Sequence, residues 1–103
     1  MSFEPVIDNR AERMRDVLQA AFSPALLRVV DDSAKHAGHA GAQPGGQTHY
    51  SVLVVSDTFA GVGRVERHRR VNQALQAEFA DGLHALALTL RTPEEHRAER
   101  NRA

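Results

Sequence analysis

Apolar and polar positions follow two different patterns along the chain, and each pattern predicts one type of secondary structure. In the first part of the chain, apolar residues recur every three or four positions, which is typical of one helical face. The members of this set are Ile7, Ala11, Met14, Leu18 and Ala21, with Phe22 at its border. The Ser23-Pro24 pair cannot continue a helix, so the spacing predicts one amphipathic helix that ends there.

Three shorter stretches favour strands. Residues 25–33 and 48–56 are rich in β-branched residues, and residues 84–90 read HALALTL. Residues 34–47 are rich in glycine, alanine and proline, which predicts a long hairpin loop between the first two strands. Loops of this length usually have a function.

Two further regions have helical signals. Residues 61–79 predict a helical region that begins with a turn, and Asp81-Gly82 closes it. The last helix begins where Thr92 can act as N-cap, Pro93 occupies the first position and Glu95 follows three residues after the cap.

The connections between these elements determine the expected topology. A hairpin makes the first two strands antiparallel, whereas a helical crossover makes the third strand parallel to the second. The second strand is therefore central, in agreement with its apolar run on both faces. The sequence predicts an α+β fold in the order α-β-β-α-α-β-α, with helices packed on a three-stranded mixed sheet. We expect one domain over residues 1–103, flexible at residues 1–5 and 97–103.

Composition narrows the classes of function. The 103 residues include 13 Lys+Arg and 13 Asp+Glu, so no overall charge attracts the chain to nucleic acid or acidic lipid. No apolar run is long enough to cross a membrane, and no membrane contact is expected. The absence of cysteine excludes disulfides, thiol catalysis and thiolate ligands from this chain. No hydrolase, phosphate-loop or zinc-protease motif is present, so we expect no enzyme activity. The opening residues lack a secretory signal pattern, which favours the cytoplasm, or an organelle matrix after cleavage.

Three segments carry a resemblance to a known family. They read VVDDSAKHAGH at 29–39, THYSVLVVSDTFAGVGRVERHRRVN at 48–72 and GLHALALTLRTPEE at 82–95. Together they resemble the BolA family over nearly the whole chain. The resemblance implies a fold similar to the class II KH domain and an association with stress responses, cell shape and transcription. The turn at residues 61–64 reads GVGR and departs from the GxxG loop of RNA-binding KH domains, so RNA binding of that type is not expected.

The same resemblance implies a metal site shared with a monothiol glutaredoxin. It places one ligand of a [2Fe-2S] cluster at His84 and a second in the hairpin loop at His36, with His39 as the alternative. Such a cluster normally takes four ligands, and the glutaredoxin cysteine and a bound glutathione supply the other two. His49 is expected to pair across the hairpin, and His96 receives no role. Alone, the chain is expected to hold no cluster and to be a monomer or a weak homodimer.

The basic segment RVERHRR at 64–70 suggests an alternative function. At about 100° per residue, one helical face is predicted to carry Val65, His68, Val71, Asn72, Leu75 and Phe79. His68 would then be buried, and the solvent-facing residues would be Arg64, Arg67, Arg69 and Arg70. This local charge suits phosphates or an acidic partner surface. The alternative is therefore a DNA-binding regulator of stress response and cell morphology, with weak, salt-sensitive binding.

Overall fold

The computed structural model describes residues 9–32 and 48–102. Its elements are α1 (Arg10–Phe22), β1 (Leu26–Asp31), β2 (His49–Val55), α2 (Arg64–Ala74), α3 (Gln76–Ala80), β3 (Ala85–Arg91) and α4 (Pro93–Asn101), with a 3-10 turn at Asp57–Phe59. The predicted α+β class and the predicted order of elements are confirmed. The expectations for residues 1–5 and 34–47 lie outside the described residues. Helix α4 includes residues 97–101, which belong to the segment expected to be a flexible tail.

The sheet has the order β1-β2-β3, with β2 in the centre. Strand β1 pairs antiparallel with β2, so that Val29 lies opposite Val52, and β3 pairs parallel with β2, so that Val52 lies beside Leu88. Both pairings agree with the prediction from hairpin and crossover connections. The parallel pairing brings the beginnings of β2 and β3 to the same end of the sheet.

One face of the sheet carries the hydrophobic core. Residues of β2 that point to this face alternate along the strand, as the pleat requires, and they meet residues of α1, α2 and the 3-10 turn. The buried cluster includes Met14, Leu18, Phe22, Tyr50, Val52, Val54, Phe59, Val71, Leu75 and Leu90. On the other face, Leu53 is half-buried and Val30 is exposed, whereas Val55 is buried near the end of the strand.

The ends of α1 and α4 show local capping. The Asn9 side chain accepts hydrogen bonds from the amides of Ala11 and Glu12 at the start of α1. At the other end, Ser23 takes a left-handed conformation with φ 42°. The predicted capping box of α4 is present. Within the described residues, the predicted buried stripe of α1 is wrong at Ala21, which is exposed, whereas Phe22 at its border is buried.

A buried ionic cluster joins the beginning of α1 to the end of α3. Arg10 is 7% exposed; its Nε donates to Glu78 Oε1 at 3.0 Å and its Nη2 to the Asp81 carbonyl oxygen at 2.8 Å. Arg13 also donates to Glu78. Hydrogen bonding from Arg13 lowers the pKa of Glu78, against the opposing effect of burial. A buried carboxylate of this kind is stable only with such partners.

Candidate functional site

His84 lies directly before β3, between the buried Leu83 and the first strand residue. Its backbone amide donates to the Thr48 carbonyl oxygen at 2.8 Å, and the Ala85 amide donates to the same oxygen at 3.1 Å. The His84 side chain is exposed. His84 therefore faces solvent at the end of the sheet where β3 begins.

His49, the first residue of β2, lies against His84. The centroids of the two imidazole rings are 5.1 Å apart, and the ring planes are tilted by 50°. His49 is only 8% exposed, and its Nδ1 is 2.9 Å from the Thr48 hydroxyl oxygen. Its backbone pairs across the hairpin as expected, since its carbonyl oxygen accepts from the Asp32 amide at 2.7 Å. Its ring, however, contacts His84 beside the other neighbouring strand.

Sequence reasoning missed this contact between His49 and His84. The predicted parallel pairing of β2 and β3 could have indicated the contact, because parallel strands begin at the same end of a sheet. His49 pairs with Ala85 in the observed register, so the residue before β3 had to lie near the start of β2.

The predicted loop ligands, His36 and His39, lie outside the described residues. The two described residues that flank this segment, Asp32 and Thr48, are both hydrogen-bonded beside the histidine pair. Within residues 9–32 and 48–102, no group of three or more His, Cys, Asp or Glu side chains could hold a metal ion. The described part of the chain therefore supplies at most two imidazoles at this point.

A small hollow opens beside the pair on the sheet. It has a volume of about 210 Å³ and is lined by Asp32, His49, Tyr50, Ala85, Leu86 and Ala87. The Ser51 hydroxyl donates to the Asp32 carboxylate, which holds this acidic group at the edge of the hollow. Imidazole and carboxylate groups thus lie together at this end of the sheet.

The predicted solvent-facing position of Arg67 on the basic surface is wrong. We expected it to face solvent, but it is 7% exposed. Its Nε donates to the Val62 carbonyl oxygen at 2.7 Å and its Nη1 to the Leu90 carbonyl oxygen at 3.2 Å. Its guanidinium carbon lies 5.6 Å from the centroid of the Phe59 ring, a favourable position for a cation over an aromatic face. Arg67 therefore joins three parts of the fold and is not available to phosphates.

The predicted burial of His68 on the inward face of α2 is wrong. It is exposed, and its Nδ1 donates to the Arg64 carbonyl oxygen at 2.8 Å. Val65 is 84% exposed, and the predicted inward positions of Asn72 and Phe79 are also wrong. The buried positions are Arg67, Val71, Leu75 and Glu78.

The face was misplaced because its first inward residue is an arginine. Arg67 is buried because Glu95 and backbone carbonyls neutralise and satisfy its guanidinium, which residue polarity does not reveal. The helix also ends at Ala74, and a new helix begins at Gln76 after Leu75 adopts φ −98° and ψ 13°. The inward face nevertheless continues across that break, because Arg67, Val71, Leu75 and Glu78 follow one another at four, four and three residues.

The other three predicted arginines are exposed as expected. Arg69 and Arg70 both donate to the Glu66 carboxylate, at distances between 2.8 and 3.1 Å. These hydrogen bonds lower the pKa of Glu66. Glu66 therefore partly neutralises the exposed positive charge of Arg69 and Arg70.

His96 lines a separate cleft of about 530 Å³ between α4 and the strand ends, together with Arg97, Arg100 and Val55. Val55 ends β2 and His49 begins it, so this cleft lies at the opposite end of the strand from the histidine pair. No helix in the described parts of the chain has the length and apolar character to span a membrane.

The order of strands, the order of helices and the exposed His84 together define one class of small α+β domain. A family model described as BolA-like protein matches residues 18–95. The chain belongs to the BolA family.

Individual relatives agree with this assignment. The chain is 45% identical over 91 residues to Protein BOLA1, chloroplastic, of Arabidopsis thaliana, which covers 86% of this chain and 57% of that protein. It is 40% identical over 84 residues to the DNA-binding transcriptional regulator BolA of Escherichia coli (strain K12), covering 82% of this chain and 76% of that protein. The structure of the BolA domain of SufE1 from Arabidopsis thaliana matches with a TM-score of 0.77 at 40% identity, covering 87% and 99% of the two chains. The chain thus spans little more than half the length of the chloroplastic relative.

Proposed function

We propose that this protein is a binding module that forms a heterodimer with a monothiol glutaredoxin and shares a labile [2Fe-2S] cluster with it. The role is iron-sulfur cluster trafficking or iron and stress regulation in the cytoplasm, by binding and not by catalysis. His84 and one histidine of the 33–47 segment, His36 or His39, are the proposed ligands. The observation that carries the proposal is the exposed His84, whose backbone amide is hydrogen-bonded to Thr48, the residue that follows that segment.

The residues fit a site of this kind. His84 presents an imidazole to solvent from a backbone fixed by Thr48. His36 follows Asp32 by four positions in the sequence. Two imidazoles make half of a four-ligand set. Because the chain has no cysteine, thiolate ligands must come from the partner and from glutathione.

The ligand type predicts the behaviour of the shared site. Imidazole in place of thiolate removes negative charge and raises the reduction potential, as in Rieske centres. Only neutral imidazole binds metal, so acid weakens the ligation. Both effects favour a cluster that can be passed to another protein.

The test uses the purified chain with a monothiol glutaredoxin, glutathione, iron and sulfide under anaerobic conditions. Visible absorbance and circular dichroism should show a heterodimer spectrum that His84→Ala alters, with a shorter cluster lifetime. His96→Ala is the matched control, because His96 lies at the other end of the sheet. A His84→Ala variant with the wild-type spectrum and lifetime would overturn the ligand assignment.

DNA binding is the second candidate function, favoured by the similarity to the DNA-binding transcriptional regulator BolA of Escherichia coli and by the exposed arginines of α2. The structure removes Arg67 from the proposed contact surface and leaves Arg64, Arg69 and Arg70. Changing these three to Gln should weaken binding to every DNA sequence and reduce its salt dependence. Changing Arg97 and Arg100 in α4 to Gln is the control. Affinity that does not change between about 50 and 200 mM salt would contradict this function.

A further inference from the structure

We infer that His49 is a positioning residue for His84: its ring holds the His84 imidazole in the orientation that ligates metal. The inference deepens the proposed function and rests on it. It assigns a role to the one histidine whose ring contacts His84 in the described part of the chain.

His84 needs such a neighbour because its own surroundings do not fix its side chain. The residue is exposed, and an exposed side chain samples several rotamers that a ligand must give up when it binds metal. The His49 ring, 5.1 Å away and tilted by 50°, occupies the space on one side of His84. Contact with a fixed ring reduces the number of orientations before any metal arrives.

His49 can act in this way because it is itself fixed. It is almost completely buried, and its Nδ1 lies within hydrogen-bonding distance of the Thr48 hydroxyl. Thr48 is only 1% exposed, and its carbonyl oxygen accepts from both His84 and Ala85. One buried threonine therefore holds the His49 ring through its side chain and the His84 backbone through its carbonyl group.

The strand register explains why the two rings can meet. His49 lies beside Ala85 in the parallel pairing of β2 and β3. The methyl side chain of Ala85 occupies little of the space over the strands, so the larger ring of His49 can extend towards His84. A bulky residue at position 85 would separate the two rings.

The first experiment compares His49→Phe with His49→Ala in the reconstituted heterodimer. Phe keeps a ring of similar size and removes both nitrogens, whereas Ala removes the ring. We expect His49→Ala to shorten the cluster lifetime about fivefold. This factor corresponds to roughly 1 kcal/mol of extra conformational entropy cost when the His84 side chain is ordered. His49→Phe should stay within about twofold of wild type, with the same visible circular dichroism. His96→Ala serves as the matched control.

Two outcomes would overturn the inference. If His49→Phe loses the cluster as completely as His84→Ala does, His49 is a ligand and not a positioning residue. If His49→Ala keeps the wild-type lifetime, the ring contact has no role at the site.

The second experiment needs no cluster and separates this inference from the proposed function. Three-bond scalar couplings measured by NMR on the isolated chain report the χ1 distribution of His84. We expect one dominant rotamer in wild type and in His49→Phe, and averaged couplings in His49→Ala. Averaged couplings already in wild type would overturn the inference even if His84 is a ligand. A third outcome would separate the two claims. If His84 has a single rotamer that depends on His49, but His84→Ala does not change the cluster, then His84 is not a ligand. The ring contact would still be established.

Discussion

Arg67 and Glu95 form a two-point ion pair in which Nη1 lies 2.6 Å from Oε1 and Nη2 lies 3.1 Å from Oε2. The pair connects α2 to the first turn of α4, and the same guanidinium also reaches the end of β3. Two charged residues, of types usually found on the surface, therefore connect the last helix to the sheet.

Replacing Arg67 should destabilise the fold. Arg67→Gln leaves buried carbonyl oxygens without their donor, and we expect a loss of about 3 kcal/mol in the free energy of unfolding. Arg67→Lys should not restore it, because an ammonium group cannot reproduce the planar fork. Urea unfolding measures the loss. Arg69→Gln, on the exposed face, should change stability by less than about 0.5 kcal/mol, and an equal loss in both variants would contradict the assigned role.

Glu95 should contribute to the acid sensitivity of the fold. The Arg67 guanidinium lowers the pKa of Glu95 from 4.5 to about 2. A carboxyl group with a lower pKa in the folded chain stabilises the fold above its unfolded pKa, and this stability disappears as pH falls from 4.5 to about 2. Unfolding measured across that range should depend less on pH in Glu95→Gln. Glu94→Gln, an exposed neighbour in the same helical turn, should keep the wild-type dependence.

Gly82 should resist substitution, in contrast to Gly63. Gly82 has φ 118°, and an added Cβ would lie 3.4 Å from Arg10 Nη2. We therefore expect Gly82→Ala to cost about 1–3 kcal/mol through backbone strain. Gly63 has φ −68° and open space at the same position, so Gly63→Ala should cost less than about 1 kcal/mol, the difference between the two residues at a helix N-cap. Thermal or urea unfolding of the two variants provides the comparison, and similar losses would argue against the strain.

Tyr50 should tolerate the loss of its hydroxyl group. The hydroxyl is buried, has no hydrogen-bond partner among the described residues, and burial raises its pKa. Removing a buried polar group without a partner relieves a desolvation cost, so Tyr50→Phe should stabilise the fold by about 1 kcal/mol. Tyr50→Leu should destabilise it, because the ring fills the core. A loss of more than about 1 kcal/mol in Tyr50→Phe would reveal a partner for the hydroxyl.

The two loop histidines should contribute unequally to the shared cluster. His36→Ala should perturb the visible spectrum more than His39→Ala, and the double variant should match His84→Ala in cluster lifetime while still binding the glutaredoxin. His36→Cys supplies a thiolate, which should lower the reduction potential and reduce acid lability. A double alanine variant with the wild-type spectrum would show that the loop does not contact the iron.

The sequence predicted the sheet well because hydrophobic pattern and connection rules determine strand order with few alternatives. It failed on α2, where burial depends on a partner 28 residues away. Arg67 is inside only because Glu95 meets it, and His68 is outside because the inward face begins one residue earlier. For the site, the exposed position of His84 was predictable from its place before a strand. The contact with His49 follows from the predicted parallel pairing of β2 and β3, but the sequence argument did not extend that pairing to the register of individual residues.

The hydrogen bonds from Asp32 to His49 and from His84 to Thr48 have an evolutionary consequence. They fix the sheet on both sides of residues 33–47, so the strand register does not depend on what connects these two points. Doubling the length of a closed segment costs only about 0.6 kcal/mol. Insertions, deletions and exchanges of residue type between Asp32 and Thr48 can therefore accumulate at little cost to folding. Related chains can diverge in this segment while the histidines at positions 49 and 84 keep their places.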